Sequence, residues 1–234
     1  MFELRAPVPP PEVLQVGRSA EPVVVLDGVF AAPDAIIAAV VTNARFAPAP
    51  GIGGYPGIQA PAPAAYTRAL LAAAAPALTL LFGQADGAIG GIGCTFSLVT
   101  EPPETLHPLQ TVPHVDIAEP DRFAVLHFLC GEPFGGTAFF RQDATGLEQV
   151  TRAEWPQFQA ARDAGLAADS RRAYPSPDTT GYTRTAAIAA QMDRILVYRS
   201  NSLHSGIIVP GLPHPPDPVS GRLTGNLFAI YRTT

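Results

Sequence analysis

Seven short β-type runs, each ended by a turn signal, fill the chain from Ile92 onward and limit its fold more than any other feature. They are Cys94–Val99, Val112–Ile117, Phe123–Cys130, Gly136–Gln142, Arg194–Ser200, Gly206–Val209 and Leu223–Tyr231. Short strands in this number, divided by Pro, Gly, Asn and Asp, predict two sheets closed into a sandwich or barrel. The 26 prolines and 21 glycines stay below the share expected of a disordered chain and supply the turns and long loops of such a fold. The expected fold class is therefore mainly β with some α. Residues 92–234 form a jelly-roll core, and helices pack outside it.

Residues 1–21 read as an extended, Pro-rich lead-in, and residues 22–91 as a mostly helical flank. Val23–Asp27 is a short β run. Pro33 or Asp34 opens a helix over 35–44, where Ile36, Ile37, Val40 and Val41 recur at helical spacing. A second helix is expected from Ala65 to Phe82, kinked or divided at Pro76. Between them, Pro48 to Pro63 carries Tyr55-Pro56-Gly57 and has too much proline and glycine for a helix or a central strand. A helical insert near 151–168 starts from Thr151 and Glu154 as a capping box. A chain of 234 residues with this texture suits one domain.

The net charge is −5, without a basic run, so a nucleic-acid partner is not expected. No apolar stretch approaches the roughly 20 residues that span a bilayer, so no membrane partner is expected either. Cys94 and Cys130 form no CxxC and are expected to sit reduced in a core, consistent with a cytoplasmic setting. Oligomeric state is not legible. The chain has no lysine, and all 15 basic residues are arginine. Any cation that binds a carboxylate must then be an arginine, which can hold it through two parallel hydrogen bonds.

His114-Val115-Asp116 lies in one of the predicted strands, where alternation turns His114 and Asp116 to the same side. His204 follows far downstream, beside the run Ile195–Tyr198. Two imidazoles and one carboxylate cover one triangular face of an octahedral ion and leave three positions open, the ligand pattern of non-haem Fe(II) oxygenases. On the last strand, Arg222, Thr224, Asn226 and Phe228 share one face. A buried arginine needs an anionic partner. That partner is either an internal Asp or Glu or the carboxylate of a bound molecule. In the second case Arg222 and the Thr224 hydroxyl converge on it, with Arg199 and Arg232 as the fallback cations.

The order His114-x-Asp116, Gly135-Gly136-Thr137-Ala138-Phe139-Phe140, His204 and Gly221-Arg222-Leu223-Thr224 resembles the iron(II)/2-oxoglutarate-dependent dioxygenase superfamily over most of the chain. The Gly-Gly-Thr strand is similar to that of its prolyl-hydroxylase-like group. Tyr55-Pro56-Gly57 and Leu126-His127-Phe128-Leu129 resemble a little-characterised bacterial branch of that group. The resemblance implies a double-stranded β-helix, with Fe(II) held by His114, Asp116 and His204. It also implies 2-oxoglutarate anchored by Arg222 with help from Thr224. The activity implied is O2-dependent hydroxylation of a C–H bond in a small-molecule or peptide substrate, with release of succinate and CO2. The carboxylate at Asp116 favours hydroxylation, since halogenating relatives carry a small residue there. Arg222 lies 18 positions after His204, a longer interval than the superfamily usually shows.

Two rival readings accompany this one. A Zn- or Mn-dependent cupin-like isomerase or hydrolase would use the same three ligands without needing Arg222 and Thr224. A non-catalytic metal-binding β-barrel would need none of the open coordination positions. Among other residues, His107, His127 and His214 lack ligand spacing, and His127 is expected to be a hydrogen-bonded lining residue. Arg141 is expected at the cavity mouth or in solvent. The loops Pro48–Pro63, Tyr174–Tyr182 and Pro210–Pro218 are expected to shape the mouth, with Tyr55 and Tyr182 over the open metal positions.

Overall fold

The large sheet of this protein buries both of its faces, which explains why its strands read as continuous apolar runs such as Val23-Val24-Val25-Leu26. The computed structural model describes residues 2–82 and 89–231. In chain order the elements are β1 (Glu12–Val16), β2 (Glu21–Asp27), α1 (Pro33–Asn43), β3 (Ala47–Pro48), β4 (Gly57–Pro61), α2 (Ala64–Phe82) and β5 (Ile89–Val99). There follow β6 (Arg122–Phe128), β7 (Gly136–Gln142), α3 (Trp155–Ala168), β8 (Tyr182–Ala189), β9 (Arg194–Arg199), β10 (His204–Ile207) and β11 (Leu223–Tyr231). Eight strands form one antiparallel sheet in the order β1-β2-β9-β6-β11-β5-β4-β3, and three form a second in the order β10-β7-β8.

Alternation along the strands assigns each side chain to a layer. Val24, Leu26, Phe123, Val125, Ile195, Val197, Leu223 and Leu227 point to the face covered by α1 and α2, where they meet Ile36, Val40, Leu70 and Leu78. Val23, Val25, Ala124, Phe128, Leu196 and Tyr198 point the other way, onto Phe139 and Ile188 of the small sheet. The outer face of the small sheet packs Ala138 and Phe140 against Phe158 of α3. Each fully buried Leu or Phe contributes roughly 1.5–3 kcal/mol, so these three clusters hold the layers together. β11 lies at the centre of the large sheet, paired with β6 and β5. Its Gly225 is dictated by α2, because a Cβ there would lie 2.0 Å from the Tyr66 hydroxyl.

Several elements differ from the sequence expectation. The lead-in 1–21 contains the edge strand β1, which pairs with β2 along its whole length. The flank 22–91 mixes its two helices with β2, β3 and β4. β4 and β3 complete the far edge of the large sheet, where proline is tolerated. α2 runs through Pro76 as one helix. α3 starts at Trp155, later than expected. Pro156 belongs in a first helical turn, where its missing N–H costs nothing. Glu154 does accept the Thr151 backbone N–H at 2.9 Å and its hydroxyl at 2.8 Å, which closes the preceding turn.

Val112–Ile117 is not a strand. It is an extended segment joined to β10 by a single bridge at His114, because Pro113 lacks an N–H and the Asp116 N–H turns aside to the Ser200 carbonyl. The Gly206–Val209 run is shifted back to His204–Ile207, which places His204 within the strand rather than before it. β8 was not expected at all. Only Tyr182 and Ile188 of its eight residues are buried, so no apolar alternation marks it, and it is held by pairing with β7.

Candidate metal centre and its cavity

His114 and His204 face each other across the bridge between their segments. Each backbone N–H donates to the other's carbonyl at 2.9 Å, and the two rings stand 4.6 Å apart. Asp116 lies between the imidazoles: one carboxylate oxygen is 3.7 Å from His114 Nε2 and the other 3.7 Å from His204 Nε2. Ligand atoms of the three residues all fall within 4.8 Å of one another, so together they could hold a metal ion. The His204 Nδ1–H donates to the Ser202 carbonyl at 2.9 Å, which leaves Nε2 as the ring's lone-pair donor toward Asp116. Tyr198 and Phe139 pack edgewise or tilted on the His204 ring and hold its plane.

Electrostatics prepare the same three groups. Burial raises the Asp116 pKa, but the attraction of the adjoining His204 and His114 imidazoles outweighs it, and the net shift is downward. Burial lowers His204, His114 adds to the fall, and Asp116 only partly opposes it. At neutral pH the pair is an ionised carboxylate and a neutral imidazole, the states a cation requires.

These residues line a cavity of about 420 Å³ between the sheets. Arg222 and Thr224 line it too, from β11, and are 4% and 1% exposed. Arg222 donates from Nε to the Phe134 carbonyl at 3.1 Å and from Nη2 to the Gly136 carbonyl at 2.8 Å, and its guanidinium lies over the Phe128 ring. No acidic side chain pairs with it among the described residues, so the internal ion pair is not formed. Gly135 makes these carbonyls available: at φ +85° it turns the chain where a Cβ would lie 2.1 Å from the Ile207 carbonyl oxygen.

Tyr55 enters the cavity from the Pro/Gly loop. Gln110 pins that loop by donating to the Gly54 carbonyl at 2.9 Å. The Tyr55 hydroxyl is buried beside Thr224 and Arg222 without forming a proper hydrogen bond to any protein group. Burial raises its pKa, and Arg222 and Thr224 offset part of the rise, so it remains a neutral donor.

Other expectations fare differently. His127 faces the helices, between Tyr66 (2.9 Å) and Asp193 (3.1 Å), and does not line this cavity. His107 caps the turn at Pro108–Gln110. His214 sits against Phe134, outside the triad. Arg141 lies 3.8 Å from Glu148 and is not at the cavity. Tyr182 is the first residue of β8 and does not line the cavity; of its loop, Tyr174 does. The Pro210–Pro218 loop does not line it either; Ile208 does. Arg199 pairs with Glu21 at 2.9 Å, while Arg232 lies outside the described residues.

The sequence reading did not single out Tyr198, Trp155 or Arg162, which also line the cavity. Alternation with Leu196 marked Tyr198 as inward. The spacing Trp155, Phe158, Arg162 marked one face of α3.

The sequence matches a protein family of unknown function, DUF6445, over residues 7–229. The chain belongs to this family. No curated protein matches its sequence. Among solved structures, it is similar to the non-heme alpha ketoglutarate dependent epimerase SnoN from nogalamycin biosynthesis. The identity is 12%, the TM-score 0.52, and the match covers 91% of this chain and 81% of that one. It is also similar to an N-substituted L-amino acid dioxygenase from Burkholderia ambifaria AMMD. There the identity is 15%, the TM-score 0.46, and the coverage 98% of this chain and 96% of that one. The first likeness shows that this DUF6445 chain shares the fold of a non-heme, alpha ketoglutarate dependent enzyme. Among the described residues, no helix is long and apolar enough to cross a membrane.

Proposed function

We propose that this DUF6445 chain is an Fe(II)- and 2-oxoglutarate-dependent oxygenase whose two sheets form a double-stranded β-helix around the site. In this reading His114, Asp116 and His204 hold the ion, and Arg222, Thr224 and Tyr55 hold the distal carboxylate of 2-oxoglutarate. One observation carries it. Arg222 is buried with only neutral carbonyl partners, next to an unpaired tyrosine hydroxyl, in the same cavity as the triad. A buried guanidinium without a counter-charge is costly, and a dicarboxylate reaching from the triad would supply that charge. A metal-dependent isomerase or hydrolase would not need this arrangement.

The chemistry such an ion supplies with 2-oxoglutarate and O2 is the oxidation of a substrate C–H bond. One oxygen atom passes to succinate and the other to the substrate as CO2 leaves. The protein's own part is placement. Ser202 fixes the His204 tautomer, Asp116 contributes charge, Arg222 orients the cosubstrate, and Val112, Val115 and Phe228 exclude water. Cys94 and Cys130, both free and buried, fit a reducing cytoplasmic setting.

Loading with Fe(II) under nitrogen tests the reading. The wild-type chain should bind about one ion, as an open three-ligand site implies, and then consume O2 and form succinate only when 2-oxoglutarate is present. His114→Ala, Asp116→Ala and His204→Ala should each lose most of the iron. Full iron affinity in any of them removes that residue from the site, and metal-dependent hydrolysis without 2-oxoglutarate would favour the rival class.

A further inference from the structure

Beyond the triad and Arg222, the cavity contains a second arginine. α3 projects Trp155, Phe158 and Arg162 from one side, and all three line the cavity. The Arg162 side chain is only 15% exposed, and its guanidinium lies 5.9 Å from the centre of the Phe158 ring. Its Nε and Nη2 both stand 2.9 Å from one oxygen of Asp163, a side chain that is 61% exposed and does not line the cavity. Such a solvent-screened partner offsets little of the arginine's charge, and Nη1 donates to no protein acceptor among the described residues. Asp116, already committed to the triad, is the sole acidic side chain among the described residues lining the cavity. The substrate end of the cavity therefore combines apolar walls with one under-neutralised cation.

We propose that Arg162 is the substrate anchor and that the substrate is an organic carboxylate with an apolar body. The apolar part packs against Val112, Val115, Trp155 and Phe158, and the carboxylate pairs with the free edge of the Arg162 guanidinium. The planar fork suits a carboxylate held by two parallel N–H groups. The cation then has its second partner, and the substrate spans from α3 toward the triad. The inference rests on the oxygenase reading for what happens to the substrate, but not for the binding step.

Trp155 is the chain's single tryptophan, so its fluorescence reports on this end of the cavity directly. The full chain as purified is titrated with 3-phenylpropionate and, in parallel, with 3-phenylpropionamide, which has the same shape without the charge. The carboxylate should bind about tenfold more tightly, the effect of one charge-assisted contact at a partly screened site. Arg162→Gln should erase the preference, Arg162→Lys should keep part of it, and Arg222→Gln should leave it in place. Equal binding of the two probes by the wild-type chain, or binding of neither, overturns the proposal. So does a preference that survives Arg162→Gln or disappears in Arg222→Gln. The assay needs neither iron nor turnover, so a failed oxygenase reading shows separately, as O2 uptake that ignores 2-oxoglutarate.

Discussion

Replacing Tyr55 with phenylalanine should move stability and ligand binding in opposite directions. The Tyr55 hydroxyl is buried, and its nearby polar groups, Thr224 and Arg222, are not in bonding geometry with it. An unsatisfied buried hydroxyl costs about 1–3 kcal/mol. Partial compensation from Arg222 and Thr224 puts this one near the lower end, at about 1 kcal/mol. Phenylalanine keeps the ring and removes the cost. In a chain of this size 1 kcal/mol corresponds to about 2–4 °C, so the ligand-free Tyr55→Phe variant should melt that much higher. The same hydroxyl, donating to a bound carboxylate, is worth about 1.5–3 kcal/mol. The Kd for 2-oxoglutarate should therefore rise at least about tenfold, measured calorimetrically on the metal-loaded protein without O2. A stability cost traded for binding of this kind is expected at a functional site. A fall in the melting temperature would show that the hydroxyl is structural. An unchanged Kd would show that it does not meet the cosubstrate.

The other two predictions concern the anion anchor and pH. Arg222→Ala should raise the Kd for 2-oxoglutarate more than a hundredfold, since breaking a buried charged pair costs about 3–5 kcal/mol, while iron stays bound. Thr224→Val should cost less, and equal losses from both would mean that the guanidinium is not the principal contact. His127, His204 and His214 are all shifted below the ordinary histidine value, with burial the first cause of each. The unfolded chain takes up these protons as pH falls through about 6.5, and the folded chain does so only at lower pH. Stability present above that pH is therefore lost as pH falls, by up to about 1.4 kcal/mol per unit for each of the buried His127 and His204 and by less for the solvent-screened His214. Denaturant unfolding of the apoprotein between pH 7 and 5 should show the slope, and His127→Gln should flatten it. An unchanged slope in that variant would mean that His127 binds its proton alike in both states.

Legibility followed the range of the interaction that fixes each feature. The face assignment of β11 was readable because strand alternation is a local rule, and Thr224, Asn226 and Phe228 do line the cavity while Leu223 packs beneath the helices. The approach of His114, Asp116 and His204 was readable as a pattern of ligand types, although the strand invoked for the first two does not form. The bridge to His204 and the bond to Ser200 hold them instead, and both are long-range contacts. β8 was missed because only Tyr182 and Ile188 are buried along it, so it shows no apolar alternation. The positions of Tyr182 and Pro210–Pro218 were misjudged for a related reason. Turn chemistry marks a loop but does not say over which end of the sandwich it folds.

Buried polar groups lie on both faces of the large sheet, and their hydrogen bonding separates structure from function. On the helix side, His127 uses both ring nitrogens, one with Tyr66 and one with Asp193, whose second oxygen accepts the Phe30 N–H at 2.9 Å. Every member of that network has a protein partner, so it holds α2 against the sheet and has nothing left to offer a ligand. On the cavity side the balance is reversed. The Tyr55 hydroxyl has no partner, Arg222 has carbonyls but no counter-charge, and the His204 Nε2 lone pair faces Asp116 without a proton between them. Folding alone favours the first arrangement and penalises the second, because unpaired polar groups in a low dielectric cost stability. These three groups share one cavity, and their signs are complementary to a cation at one end and a carboxylate at the other. A metal ion with a dicarboxylate bound across that space would satisfy all of them, and this is the physical case for reading the inner face of β11 as the working surface of the protein.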